Sequence, residues 1–328
     1  NDKSSISSTA SYLSHNGYVP NSYYNRANLS LGGQTKLANG LYLNGNFAYS
    51  RSNQNGTIFG ENQVDGATSA FARTLFLGRN WDMTLPYEDA NGFPVSTNTS
   101  QYDHPLWAFK HNTVKDQQDR YVAGVKLAYD VTSWLNASYQ IGTNNYSFQR
   151  REVVDRGSRG TVVPGATGLG SMIEQNYKNT EIESNLILSF SPKLRNSDFS
   201  LRGTFGHNVN QRTTISNAYS GSEIIVPGIY NISNTKTVLS DKANTYETQR
   251  RLWGIFGEAS VGYRNFAYLT VTGRNDWSST LPTDKNSYFY PSVSGSVVFT
   301  DALKMDWGPL DFGKIRASWA KVGRDADP

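Results

Sequence analysis

The sequence predicts an all-β protein, the antiparallel wall of a transmembrane β-barrel, on three observations. Apolar and polar residues alternate with period two along much of the chain. The connections between these runs are short and long by turns. The composition, finally, suits neither a soluble enzyme nor a helical membrane protein. Of 328 residues only 37% are hydrophobic and 18% charged, while 13% are aromatic, with 20 Tyr the largest share. No apolar run is long enough for a transmembrane helix. The net charge of +4 is too mild on its own to suggest nucleic acid as a partner. The absence of cysteine excludes a disulfide framework and thiolate metal sites.

About ten strands are legible, in chain order. Ala27, Leu29 and Leu31 oppose Arg26, Asn28 and Ser30; Leu41, Leu43 and Phe47 oppose Asn44, Asn46 and Ser50. Residues 119–130 form a weaker run. Leu135, Ala137, Tyr139 and Ile141 then oppose Asn136, Ser138 and Gln140. After a second weak run over 179–190, Leu201, Phe205 and Val209 oppose Arg202, Thr204 and Asn208. Residues 253–263 carry Trp253, Ile255, Ala259, Val261 and Tyr263 on one parity, with Glu258 and Ser260 on the other. Ala267, Leu269 and Val271 oppose Thr270, Thr272 and Arg274; Val293, Val297 and Phe299 oppose Ser292, Ser294 and Ser296. Ile315, Ala317 and Trp319 alternate with Lys314, Arg316 and Ser318.

Short connections fall near 32–40, 130–133, 191–198, 264–265 and 300–311, and long ones span 51–118, 148–178, 213–248 and 277–287. One rim of short periplasmic turns and one of long extracellular loops is the layout of an outer-membrane barrel. Aromatics near strand ends (Tyr49, Tyr129, Trp134, Tyr263, Phe266, Tyr268, Tyr288, Phe289, Tyr290) suit a membrane–water interface. Ten strands with two open edges are not viable in a bilayer, so they either close alone or belong to a larger barrel. The chain starts at Asn1 without a visible targeting segment and stops at Pro328 after a strand-like run. The reading is a piece of something longer.

Four ordered motifs near the end are recognisable. They are Leu252-Trp253-Gly254-Ile255-Phe256-Gly257-Glu258 with Gly262-Tyr263-Arg264-Asn265-Phe266-Ala267-Tyr268, then Gly273-Arg274-Asn275-Asp276-Trp277-Ser278-Ser279. Asn286-Ser287-Tyr288-Phe289-Tyr290-Pro291-Ser292-Val293-Ser294 and Lys314-Ile315-Arg316-Ala317-Ser318-Trp319 complete the set. Together they resemble the barrel block of SusC/RagA-type TonB-dependent transporters. The resemblance implies a 22-stranded, plugged barrel, of which residues 1–328 are a partial barrel domain without plug or remaining strands. It also implies energy-coupled import of an oligosaccharide or peptide across a Gram-negative, Bacteroidota-type outer membrane. The implied partners are a SusD-like surface lipoprotein, a TonB complex engaged by a region outside this sequence, and outer-membrane lipid. A passive porin and a secreted carbohydrate-binding or adhesin module stay open beside it.

Catalysis has little footing: the four histidines (His15, His104, His111, His207) are scattered, and no cofactor is called for. Glu181 and Glu183 share a strand face and read as wetted lumenal groups. Gly165-Ala166-Thr167-Gly168-Leu169-Gly170 has no strand before it or helix after it, and reads as a loop. The stretch 51–118 is richest in candidate contacts: Phe76, Trp81, Tyr87, Tyr102, Trp107 and Phe109, near Asp82, Asp103, His104 and Lys110. Such rings can stack on sugars or grip a peptide. The favoured alternative is the core of a folded loop, or a contact with the lipoprotein. If they bind nutrient, Trp107→Ala and Tyr102→Ala weaken binding and leave assembly intact. Arg274 and Asp276 complete the substrate-binding candidates; parity turns Arg274 to the lumen, where an Arg–carboxylate pair fixing the strand end is the preferred role. Val297→Arg on the lipid face is expected to cost about 2–4 kcal/mol near the midplane, and the same change at Ser296 little.

Overall fold

A computed structural model describes residues 4–58, 69–95, 103–163, 166–195, 198–304, 308 and 310–323. Twelve strands make one antiparallel sheet: β1 (Ser4–Asn16), β2 (Tyr23–Lys36), β3 (Tyr42–Thr57), β4 (Thr113–Asp130), β5 (Leu135–Val154), β6 (Ser171–Phe190), β7 (Phe199–Ile224), β8 (Thr235–Ser240), β9 (Tyr246–Tyr263), β10 (Ala267–Ser278), β11 (Ser287–Val298) and β12 (Lys314–Ala320). Each pairs with its neighbour in sequence, except that β9 returns to β7 while the short β8 pairs only with the far end of β7. β1 and β12 are free edges, so this stretch is an arc of wall. Among the described residues no helix is long and apolar enough to cross a membrane.

The expected ten strands become twelve. β1 is added because Ile6, Ala10 and Tyr12 line up with Gly33, Leu29 and Ala27 of β2, although the serines between them blunt the alternation. β8 rides on a β7 that is 26 residues long. The long loops shrink to match, since β5, β6 and β7 run well past the ends that alternation marks.

The register puts every apolar set on one face. Leu31 pairs with Phe47, Val125 with Ile141, Leu188 with Phe205, Val261 with Leu269 and Val271 with Val293. These side chains are exposed: Phe205 is 50% accessible, Val271 50% and Leu269 52%. A row of large apolar groups turned outward would carry a heavy hydration cost in water, and is stable only against hydrocarbon. The opposite face carries Asn46, Asn144, Glu183, Asn208, Thr272 and Ser292. Of the interface aromatics, Tyr49, Tyr129, Tyr263 and Phe289 point outward, but Tyr268, Tyr288 and Tyr290 share the parity of Thr270 and Thr272 and face inward.

The edge of the apolar band also measures the strand tilt. On β2 the outward face changes from Ala27 to Asn25, and on β9 from Trp253 to Arg251. The hydrogen-bonded row through Ala27 runs by Arg51, Asp119, Ser147, Lys178 and Ile215 to Glu247. Over those six strand steps the edge has therefore slipped six residues, one per strand. With a rise of 3.3 Å per residue and 4.8 Å between strands, a level edge requires a tilt of about 35°, as in membrane barrels. At that tilt the outward stretch Ala267–Trp277 of β10 climbs about 27 Å, close to the height of such a band. Val271 falls at its middle. Val297 pairs with Ala267 at the lower end, so the midplane test moves from Val297 to Val271, and at Val297 the cost drops to about 0–1 kcal/mol.

The short-turn rim is built by local chemistry. Between β9 and β10, Arg264 (φ 45°) and Asn265 (φ 61°) are both left-handed, and Phe266 N donates to Tyr263 O at 3.1 Å, a type I′ hairpin turn. Arg264 pairs with Asp198 of the neighbouring turn at 2.8 Å.

Candidate functional site

The only buried hydrophobic cluster among the described residues lies beyond the long-loop ends of the strands. Val19, Ala70, Trp107, Ala108 and Phe109 form it, with Phe71, Tyr87 and Leu106 packed around. Two short helices supply most of it: α1 (Ala70–Phe76), capped by Ser69 Oγ accepting from Ala72 N at 3.2 Å, and α2 (Pro105–His111). Proline at the first turn of α2 forfeits no helical hydrogen bond. His104 caps it, its Nδ1 accepting from Leu106 N at 3.2 Å. Nδ1 is therefore unprotonated, the proton sits on Nε2, and that nitrogen is buried without a partner among the described residues. Burial holds this imidazole below its ordinary pKa.

Charged groups tie three loops into one cap. Trp107 is fully buried, donates from Nε1 to Gly92 O at 3.0 Å and stacks on His111 with ring centroids 4.6 Å apart. His111 stands between two carboxylates, with Nδ1 3.0 Å from Asp155 and Nε2 3.3 Å from Glu88. Asp155 also accepts from Tyr230 OH at 2.6 Å and from Arg156 N at 2.8 Å. Burial pushes the Asp155 carboxyl up, but the bonds from His111, Tyr230 and Arg156 outweigh it and hold the group below its ordinary value. Burial and the bond to Asp155 raise the Tyr230 phenol. Asp103 is also enclosed; it accepts from Ser158 Oγ at 2.5 Å and pairs with Arg159 Nη1 at 3.1 Å. There burial wins over these bonds and the carboxyl is raised. Asn112, fully buried, joins Ser158 Oγ (3.1 Å) to Asp155 N (3.0 Å).

The cap is expected to loosen on acidification through His104. A folded-state pKa below the unfolded value means that the stability is fully present above the ordinary imidazole range, near pH 6.5, and is lost as pH falls toward the depressed value. Amide hydrogen exchange over 104–112 should therefore speed up on acidification, after correction for intrinsic rates, and His104→Asn, which keeps a capping acceptor, should remove that component. Unchanged protection between pH 7.5 and 5 would refute it.

Below the cap the inward face carries a polar ladder. Asn210 donates to Glu181 at 2.8 Å, Asn208 to Glu183 at 3.1 Å and to Asn185 at 2.7 Å. Arg274 reaches Asn208 Oδ1 at 3.4 Å, pairs with Asp276 at 2.7 Å and lies over the Phe256 ring at 5.6 Å. The ladder crosses β9 at Gly254, the register partner of both Asn208 and Asp276. A Cβ there would come within 2.1 Å of Asp276 Oδ1, so glycine is what lets the pair lie flat against the wall.

The sequence candidates thus divide between two places. Arg274 and Asp276 are the inward ion pair, with partners on β7, β9 and β10. Tyr87 is half-buried against the Trp107 cluster, 5.5 Å from the His104 ring. Trp81 is half-buried nearby in sequence, its indole N–H buried and without a partner among the described residues. Trp107 offers no exposed face, so its removal would disturb the cap itself, which corrects the expectation that assembly survives Trp107→Ala. Tyr102 lies outside the described residues, as does the Phe76 side chain. Gly165 does too; the rest of that glycine-rich stretch leads into β6, a strand and not a helix. Sequence reasoning missed Asp155, Ser158, Arg159 and Tyr230, which come from other loops and share no spacing with α2.

Comparison with known proteins gives one consistent answer. The family model described as TonB dependent receptor-like, beta-barrel matches residues 68–327. A stretch of 119 residues is 29% identical to TonB-dependent receptor P26 of Formosa agariphila, covering 33% of this chain and 12% of that protein. Among solved structures, the RagAB peptide transporter superposes with a TM-score of 0.73 at 14% identity, over 97% of this chain and 35% of that one. FpvA of P. aeruginosa, in a structure bound to a pyoverdine, gives 0.53 at 10% identity over 90% of this chain and 36% of its own. The chain thus spans about a third of the length of these two chains.

Proposed function

The chain belongs to the TonB dependent receptor-like β-barrel family, whose walls stand in the outer membrane, and from that premise we propose that it is part of an energy-coupled nutrient importer. The cargo is an oligosaccharide or a peptide, delivered with a SusD-like surface lipoprotein in a Bacteroidota-type outer membrane. Transport involves no chemistry on the cargo. A plug supplied by sequence outside these residues is pulled by the TonB complex, and cargo moves along the inward face. Trp81, Tyr87 and Tyr102 are the proposed contacts at the mouth, the Trp107 cluster packs against Tyr87, and Arg274 with Asp276 is the proposed polar contact below.

The observation that carries this reading is the family match over residues 68–327, joined to the likeness in fold to a transporter whose description names peptide as cargo. The inward ladder adds to it, since Glu183, Asn208 and Arg274 would give a polar cargo exchangeable partners along the wall. Native mass spectrometry of the protein extracted in detergent from its source membrane tests it. The expected result is a chain of the length that the 35% share implies, carrying a lipidated companion. A lone chain of 328 residues would leave a small self-closing barrel and remove the energy-coupled mechanism.

A further inference from the structure

Between the cap and the polar ladder the inward face turns aromatic. Gln118, Phe148, Tyr177, Ser216 and Tyr246 are successive cross-strand partners on β4, β5, β6, β7 and β9. Phe148 has the parity of Asn144, Tyr177 that of Glu183, and Tyr246 that of Gly254, so these rings stand on the lumenal side. Tyr146, on the row below, meets Tyr177 edge to face with ring centroids 5.9 Å apart. Tyr146, Phe148 and Tyr177 are half-buried and Tyr246 is 43% exposed. The row also climbs. On β5 the outward face turns polar at Asn145 and on β9 at Arg251. Phe148 is three residues past the first and Tyr246 five past the second, which sets them about 8 and 14 Å above the band edge. The rings thus form a ramp that rises along the lumen toward the medium.

The surroundings of the rings decide what they suit. Gln118 and Gln175 have no side-chain hydrogen-bond partner among the described residues, and Asn179 donates to Thr214 at 2.8 Å. On β4 to β9 this row and the rows directly above and below it carry three charged residues: Asp116, Arg150 and Arg120. The Arg150 guanidinium lies 5.5 Å from the Phe148 ring and is held twice by Asp116, at 2.8 and 2.7 Å. Arg120 donates to Asn144 at 3.0 Å. A peptide would call for charged groups to match its ends and side chains, or for an open strand edge to pair with. Here charge is sparse and mostly paired, and β5, β6 and β7 have both edges in use. A pyranose instead has a flat C–H face for a ring and a rim of hydroxyls for neutral amides, which both donate and accept. We propose that Phe148, Tyr177 and Tyr246 are a binding platform for a neutral oligosaccharide, its sugar faces on the rings and its hydroxyls on Gln118 and Gln175.

The platform rests on the importer reading and deepens it, by choosing between its cargoes and placing a site that lies apart from the contacts at the mouth. Its test uses the full-length protein in mild detergent, offered a pool of neutral gluco-, manno-, xylo- and galacto-oligosaccharides and, separately, a pool of tryptic peptides. Native mass spectrometry identifies what is retained, and titration with the retained oligosaccharide gives its affinity. Tyr177→Ala and Tyr246→Ala are each expected to weaken that affinity about tenfold. Tyr177→Phe, which keeps the ring, should bind as the parent does. Thermal unfolding of all three variants should match the parent, which separates lost binding from lost folding. Retention of peptides and no oligosaccharide overturns the proposal, as does equal affinity in the parent and both alanine variants. An equal loss in Tyr177→Phe and Tyr177→Ala overturns the stacking role. The two readings fail separately. A lone chain of 328 residues that retains oligosaccharide would remove the importer and leave the platform, whereas a longer chain with a lipidated companion that retains only peptide would do the reverse.

Discussion

Trp107→Ala is expected to destabilise the extracellular cap by about 3–5 kcal/mol, the range for removing a fully buried large aromatic. Its side chain has no accessible surface. The change deletes the indole bond to Gly92 and the stack on His111, and leaves a void between α1 and α2. Protection of the amides in 103–112 should fall, and with it that of 155–160, because Asp155 and Ser158 are held from α2 and its flanks. The wall itself should be unaffected, since its hydrogen bonds run strand to strand. Hydrogen exchange resolved by segment separates the two; cap protection equal to the parent's would remove Trp107 from the core role.

Val271→Arg is the second large effect, about 2–4 kcal/mol at the middle of the apolar band. Val271 is half-exposed and paired on both sides with apolar partners, Ala259 and Val293. An arginine there must either drag water into hydrocarbon or bend far toward an interface. Thr272→Arg, one residue on, faces the lumen, where it displaces only a hydroxyl bond to Ser292. Equilibrium unfolding from lipid vesicles should separate the two by most of that range. Equal costs would mean that the faces have been assigned wrongly.

The faces were readable from sequence because a period of two survives any error in strand ends. Leu269 and Val271 are outward wherever β10 begins. What was not readable has a common physical cause. Beyond the band neither side of a strand faces lipid, and polar, exposed positions mix with buried ones such as Val153, Val154, Met172 and Ala218, so 145–154, 171–178 and 213–224 lose their alternation while keeping their hydrogen bonds. β1 was lost for a related reason: Ser8 and Ser14 stand on its outward face as Ser7 and Ser11 do on the inward, which blunts the alternation. The site divides along the same line. Arg274 and Asp276 sit two residues apart on one face, and parity brings them together. Asp103 with Ser158, or His111 with Asp155, meet only because two loops fold against each other across 55 and 44 residues.

The one-residue slip of the band edge per strand also governs how such a chain can change length. Deleting a single residue within the membrane turns every following side chain of that strand to the wrong side, so it is excluded outright. Deleting two restores the sides but drops the strand's edge out of level with its neighbours by about 5 Å. Between the girdles, then, neither change is tolerable, and insertions and deletions are pushed outward. They collect where β5, β6 and β7 project past the lipid, which is also where the cap and its loops are built. The staircase thus confines variation in length to the end of the wall that faces the medium.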